Sequence, residues 1–279
     1  MTLMKDVYTG SVRVDDVPVT YHDSAPAAAD AATIVLLHGT GGSAQNNFWA
    51  LFPMLAMRHR VVALDFVDPE LPEAQPYLDQ VLAVVEACCG SRPVHLVGYS
   101  FGAVIAALLA ARHGRRLASL TLVAGWLKTD TQQKLRNTIW RSLYESGHEA
   151  IAPFSVFTNF SSSFLNAKNE AELEALIQAV RTGPDRSRKM AFNRQVDIGD
   201  EVATIDVPSL VIGCKHDQMA PIRHSRLLFG SIKNCRYAEI NSGHGVVHER
   251  PSELFTMIDN FVRQPDGWPA GHVVQNSHA

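Results

Sequence analysis

Short, unbroken apolar runs alternate along this chain with longer segments whose apolar positions recur every three or four residues. The runs read as strands buried on both faces, and the longer segments as helices packed on one side. Val7 to Val14 and Val17 to Tyr21, joined through Asp15-Asp16, predict an antiparallel hairpin. Beyond a small-residue loop from Ala25 to Ala32, strands are predicted at Thr33–Leu37, Arg60–Asp65, Val94–Val97, Leu117–Val123, Pro208–Gly213 and Cys235–Ile240. Helices are predicted between them, around Asn47–Arg58, Tyr77–Cys89, Phe101–His113, Ile222–Gly230 and Ser252–Arg263. Such alternation gives a mostly parallel sheet with helices on both faces, an α/β protein.

The alternation breaks once. From Leu127 to Asp206 there is no strand pattern, but Thr131–Glu145 carries Leu135, Ile139, Trp140 and Leu143 on one face. Glu170–Arg181 does the same with Leu173, Leu176, Ile177 and Val180, and a third helical pattern lies within Asp185–Val196. Phe154, Phe157, Phe160 and Phe164 fall between them in a serine-rich stretch. A wholly helical insertion of this length exceeds what a connection needs, and it reads as a lid over the strand ends, where open α/β sheets bind ligands. The expected organisation is a core of residues 1–126 and 207–263, a helical cap of 127–206, and a flexible tail, 264–279, without apolar periodicity.

Composition narrows the class. A chain of 279 residues, 46% apolar and 19% charged, can bury one large core. Its net charge of −3 offers no field for nucleic acid or an anionic membrane. The longest uncharged apolar stretch, Phe101–Ala111, is far short of the ~18 residues of a membrane span, and residues 1–20 carry no signal-peptide core. Two basic groups, Arg112/Arg115/Arg116 and Arg186/Arg188/Lys189, are expected on solvated surface. Cys88, Cys89, Cys214 and Cys235 form no C-x-x-C pair, so reduced thiols in a cytoplasmic protein are expected.

The chemistry concentrates in four places. Gly98-Tyr99-Ser100-Phe101-Gly102 joins a predicted strand to a predicted helix, with a serine at the apex of the turn. A serine becomes a nucleophile only when held out of the backbone plane beside a base and oxyanion donors, and the strained turn that does this needs small residues on either side. Gly243-His244 follows the last predicted strand and supplies the base, with His248 its nearest rival and Glu249 and Pro251 close by. Asp217, just past the strand that ends at Gly213, supplies the carboxylate that orients an imidazole; it also fits a helix cap near Pro221, and Asp130 is an alternative acid. His38-Gly39-Thr40-Gly41-Gly42 follows the first parallel strand and offers oxyanion donors at Thr40 and, second, Gly41, alongside the N–H of Phe101. The loop lacks either phosphate-binding glycine pattern, and His38 is expected to hold it in shape. No metal-spaced cluster is present, so neither metal nor cofactor is expected.

Together these motifs, in the order Ser100, Asp217, His244, resemble the α/β-hydrolase superfamily over residues 7 to 263, in particular its lidded, single-domain esterase, lactonase, thioesterase and C–C hydrolase-like members. The resemblance implies an eight-stranded, mostly parallel sheet with a cap between strands six and seven. One departure stands out: where many relatives carry an Asp-x-Arg-Gly-x-Gly turn after the fourth strand, this chain has the acidic Leu64-Asp65-Phe66-Val67-Asp68-Pro69-Glu70. Epoxide hydrolysis would need an aspartate where Ser100 stands.

The function implied is hydrolysis of an ester, thioester or lactone. Alternatives are the same triad serving as an acyltransferase, a cyclising thioesterase or a cofactor-free C–C hydrolase, or a ligand-binding protein that has lost turnover. Trp49, Trp126, Trp140 and Phe157 are the candidate pocket aromatics, and they favour an apolar small-molecule acyl group. Lid charges nearly balance, which implies no strongly charged substrate. A monomer or homodimer is expected.

Overall fold

A hairpin leads into the sheet: β1 (Tyr8–Val14) pairs antiparallel with β2 (Val17–Asp23), and Asp15 and Asp16 turn the chain at φ of 45° and 66°. Aspartate tolerates this left-handed region better than most side chains, and two such residues match the twist of a tight hairpin. The computed structural model describes residues 3–25 and 32–275. The small-residue loop expected between Ala25 and Ala32 therefore lies outside the described residues except at its two ends.

In chain order there follow β3 (Thr33–Leu37), α1 (Ala44–Phe48), α2 (Leu51–Ala56), β4 (Arg60–Leu64), α3 (Gln75–Cys89), β5 (Val94–Tyr99), α4 (Phe101–His113) and β6 (Leu117–Val123). Six helices without a strand come next: α5 (Thr131–Glu145), α6 (Ile151–Asn159), α7 (Ser162–Asn166), α8 (Glu170–Arg181), α9 (Ser187–Asn193) and α10 (Gly199–Val202). The chain ends with β7 (Ser209–Cys214), α11 (Arg223–Ser231), β8 (Cys235–Ile240), α12 (Val246–Glu249), α13 (Pro251–Arg263) and β9 (Val273–Val274). Two expected elements differ. The single helix of Asn47–Arg58 is α1 and α2, because Pro53 is tolerated only in a first turn and the helix restarts to place it there. The phenylalanine-rich stretch forms two helices, α6 with Phe154 and Phe157 and α7 with Phe164, and Pro153 again lies in a first turn.

Among the described residues the sheet has nine strands in the order β1-β2-β4-β3-β5-β6-β7-β8-β9, and every pair from β4 to β9 is parallel. Alternate residues of β3 enter opposite cores, Ile34 and Leu36 on one face, Val35 and Leu37 on the other. That explains the unbroken apolar runs. Helix α4 is buried from Phe101 to Ala110, between the sheet and the helices that cover it.

The ninth strand corrects the expected count of eight and falls within the expected tail, residues 264–279. Val273 and Val274 pair with Tyr237 and Ala238, the Tyr237 N–H donates to the His272 carbonyl at 2.9 Å, and Arg236 donates to the Trp268 carbonyl at 2.7 Å. What places Val273 and Val274 is the open edge of β8, which offers backbone partners whatever the side chains. The last four residues of the expected tail lie outside the described residues. All four cysteines are free thiols. Among the described residues no helix is long and apolar enough to cross a membrane.

Candidate active site

Strand β5 delivers the chain to Ser100, which takes φ 56° and ψ −117°. A serine is rarely found there, and neighbouring contacts hold it. Its N–H donates to the Val123 carbonyl at 2.9 Å, tying the turn to β6. A side chain at Gly98 would collide with the Gly102 carbonyl, and one at Gly102 with the Leu37 carbonyl. The two glycines thus let α4 start directly against β3 and β5, leaving Ser100 at the strand ends.

His244 lies in the loop after β8, with Nε2 2.8 Å from Ser100 Oγ and Nδ1 2.6 Å from Asp217 Oδ2. All three side chains are buried. An ionised Asp217 accepts from Nδ1–H, which leaves Nε2 as acceptor for the serine hydroxyl. The other carboxylate oxygen, Oδ1, accepts the backbone N–H groups of Met219 and Ala220 at 2.7 and 2.8 Å. Asp217 therefore both shapes its turn and orients the imidazole. Asp130 is elsewhere: it caps α5 in a reciprocal pair with Gln133 and bonds Arg223. His248 lies beside the same cavity, but its Nδ1 accepts from Trp49 Nε1 at 3.2 Å and it does not contact Ser100.

The loop bearing His244 is gripped from several sides. The Tyr99 hydroxyl donates to the His244 carbonyl at 2.9 Å, and the Gly245 N–H donates to the Asn159 carbonyl at 2.7 Å. Glu249 Oε1 accepts from the Gly243 and Ser161 N–H groups at 3.0 and 2.9 Å, and Oε2 accepts the Ser161 hydroxyl at 2.6 Å. A side chain at Gly243 would strike the Ser161 nitrogen.

Gly39, Thr40 and Gly41 border the same cavity as Ser100. The Gly39 N–H donates to Asn47 Oδ1 at 2.8 Å, and Thr40 Oγ1 accepts from Asn193 Nδ2 of the cap at 2.8 Å. Phe101 opens α4, where a first-turn N–H has no acceptor within the helix. His38 beneath the loop is a scaffold. Its Nδ1–H donates to the Gly39 carbonyl at 2.8 Å and Nε2 accepts the Phe66 N–H at 3.0 Å, while burial, helped by Lys189, lowers its pKa to about 4.

The cavity has a volume of about 250 Å³ and lies between these loops and the cap. Trp126 and Trp140 line it together with Val156, Phe160 and Leu176. Trp49 and Phe157 do not: they are 40% and 59% exposed, Trp49 turned toward His248 and Phe157 on the outer side of α6. The wall is less apolar than the aromatic count implied, since Arg136, Arg186 and several amides also face it.

The sequence matches the alpha/beta hydrolase family across residues 34–256, a span that contains every element of this site. The chain belongs to that family. It is 26% identical over 244 residues to the pyrrolizixenacetamide deacetylase of Xenorhabdus hominickii, covering 84% of this chain and 91% of that one. It is 29% identical over 253 residues to a putative carbamate hydrolase, RutD, of Caulobacter sp. strain K31, covering 84% and 92%. The fold is shared with the enol-lactonase of Burkholderia xenovorans LB400, with TM-score 0.78, 20% identity and coverage of 91% and 100%. It is shared also with MGS-M2, an alpha/beta hydrolase from a deep-sea metagenome library, with TM-score 0.82, 19% identity and coverage of 91% and 98%.

In this alpha/beta hydrolase the unusual acidic loop after β4 is a latch for the cap. Asp68 pairs with the buried Lys189 of α9 and accepts the Tyr77 hydroxyl at 3.2 Å. Arg188 donates to the carbonyls of Asp68 and Pro69, both at 3.2 Å. The basic group Arg186/Arg188/Lys189, expected on solvated surface, thus supplies a cavity wall and two fastenings. Its partners lie more than a hundred residues away in sequence, which is why the group resembled an ordinary surface run.

Proposed function

We propose that this hydrolase cleaves an ester, thioester or lactone of a small molecule through a covalent acyl-enzyme on Ser100. The observation that carries the proposal is the continuous hydrogen-bonded chain Ser100–His244–Asp217, opening onto a cavity at the strand ends. Relatives named as a deacetylase and a putative carbamate hydrolase support chemistry at an acyl carbon.

Ser100 Oγ bonds to the acyl carbon as its proton passes to His244 Nε2. The carbonyl electrons move onto oxygen, and the N–H groups of Thr40 and Phe101, with Gly41 in reserve, stabilise that oxyanion. When the tetrahedral centre collapses, the bond to the leaving oxygen or sulfur breaks and His244 returns the proton to it. A water then gives one proton to His244 and its hydroxyl to the acyl carbon. Collapse releases the acid and restores the serine hydroxyl. Asp217 stays ionised throughout and stabilises the imidazolium. Hydrocarbon parts of the substrate pack against Trp126, Trp140, Val156 and Phe160.

Steady-state hydrolysis of p-nitrophenyl esters and a thioester tests the proposal. Turnover by the wild type that falls at least about a thousandfold in Ser100→Ala and in His244→Ala supports it. Turnover untouched by both substitutions would refute it.

A further inference from the structure

Two arginines face the cavity without a carboxylate partner. Arg136 projects from α5 and Arg186 precedes α9, and both line the space that holds Ser100. Among the described residues neither forms an ion pair, whereas other cap cations do: Lys189 with Asp68, Lys128 with Asp197, Lys168 with Glu172. Arg136 donates to the Asn137 side chain at 2.7 Å, and its Nε is buried with no hydrogen-bond partner. Among the described residues no aspartate or glutamate lines the cavity, and Asp217 is committed to His244 and its own turn. Polar lining comes instead from amides, including Gln133, Asn137 and Asn193.

Burying charge without a counter-ion is costly to a fold. Burial lowers the pKa of Arg136 to about 10, aided by the nearby charge of Arg186 and opposed by Asp217; burial lowers Arg186 as well, opposed by Asp185. Both remain cations at neutral pH. The two like charges share one cavity, and among the described residues neither has a carboxylate within ion-pair distance, Asp217 and Asp185 acting on them only from farther off.

Their placement says where the missing charge goes. A Cβ built on Gly41 would lie 3.3 Å from Arg186 Nη1, so this guanidinium rests on the proposed oxyanion loop, on the cavity that Ser100 also lines. Arg136 approaches from the α5 side of the cap, and Trp126 and Trp140 line the same space. Guanidinium forks match the oxygens of carboxylates and phosphates.

We propose that the substrate carries an oxyanion, a carboxylate or a phosphate, within a few bonds of the scissile carbonyl, and that this group is the counter-ion of Arg136 and Arg186. The proposal rests on the hydrolase function above and gives its small-molecule substrate an anionic end, where the sequence favours an apolar acyl group. Each arginine acts as a specificity residue.

The test compares mono-p-nitrophenyl esters of succinate, glutarate and adipate with their methyl-capped forms, and with a phosphate-terminated ester of equal length. Wild type, Arg136→Gln, Arg186→Gln and the two Arg→Lys variants are assayed. A hydrogen bond to a charged group is worth about ten- to a hundredfold, so wild-type kcat/KM should favour an anionic ester over its capped form by at least tenfold. Each glutamine variant should lose most of that preference, and each lysine variant should retain part of it. Whether the carboxylate or the phosphate ester leads identifies the source of the anion. In parallel, binding of glutarate and of a simple alkyl phosphate to the Ser100→Ala protein is followed by tryptophan fluorescence and by the rise in Tm. Equal rates on capped and anionic esters, in an enzyme still labelled by a fluorophosphonate, would overturn the anion proposal and leave the serine hydrolase standing. Absence of labelling and turnover would instead overturn the serine hydrolase. The binding assay then judges the anion proposal separately: binding that is lost in the glutamine variants supports it, and no binding to the Ser100→Ala protein overturns it.

Discussion

Tyr99 and His244 are joined by a hydroxyl-to-carbonyl hydrogen bond of 2.9 Å, so the residue preceding Ser100 also anchors the backbone of His244. Tyr99 is buried, and its ring lies 5.6 Å from the imidazole. Strand β5 therefore positions two of the three residues of the proposed triad at once. Replacing Tyr99 by Phe keeps the packing and leaves a buried carbonyl unsatisfied, which costs about 1–3 kcal/mol. We expect Tyr99→Phe to lower kcat roughly tenfold with KM little changed, measured on a p-nitrophenyl ester beside a thermal melt.

Glu249 gathers donors from two separate parts of the chain, the His244 loop at Gly243 and the cap at Ser161. Glu249→Ala should destabilise the protein by about 2–4 kcal/mol, read by urea unfolding, since it strands buried N–H groups. Glu249→Gln keeps one acceptor oxygen and should fall between the two.

The cap latch predicts a non-additive pair. Lys189 and Asp68 are largely removed from water, so Asp68→Leu or Lys189→Met alone leaves an unpaired charge and should cost about 3–5 kcal/mol. The double variant should recover most of that loss. A double-mutant cycle measured by chemical denaturation checks it; additive costs would mean that the two side chains do not interact.

Stability should fall on mild acidification. Burial lowers His38 and His95 from 6.5 to about 4, so below pH 6.5 the unfolded chain takes up protons that the folded protein refuses. Their stabilisation is complete above pH 6.5 and declines as pH falls toward 4, by on the order of 3 kcal/mol for His38. Unfolding free energies measured from pH 7 to 4 should show this slope, and His38→Gln should flatten it.

The sequence made the elbow legible because its constraint is steric and local: Gly98 and Gly102 are small for reasons that lie within a few residues of Ser100. Asp217 and His244 were legible through their places at strand ends. Faces of the cap helices were not. Trp140 and Phe157 are both aromatic at helical spacing, yet one lines the cavity and the other points outward, a difference set by how α5 and α6 pack. Net lid charge was equally blind to Arg136 and Arg186, because a balanced count does not say which cations find partners. Nor does periodicity reveal a two-residue strand such as β9, which is held by its backbone.

The central claim is that Ser100 is the nucleophile, and active-site labelling tests it most directly. Wild-type protein treated with a fluorophosphonate should gain the mass of one adduct, mapped by peptide mass spectrometry to the segment containing Ser100. Ser100→Ala should gain none. Labelling of the folded Ser100→Ala protein to the same extent, or an adduct placed on another residue, would contradict the account.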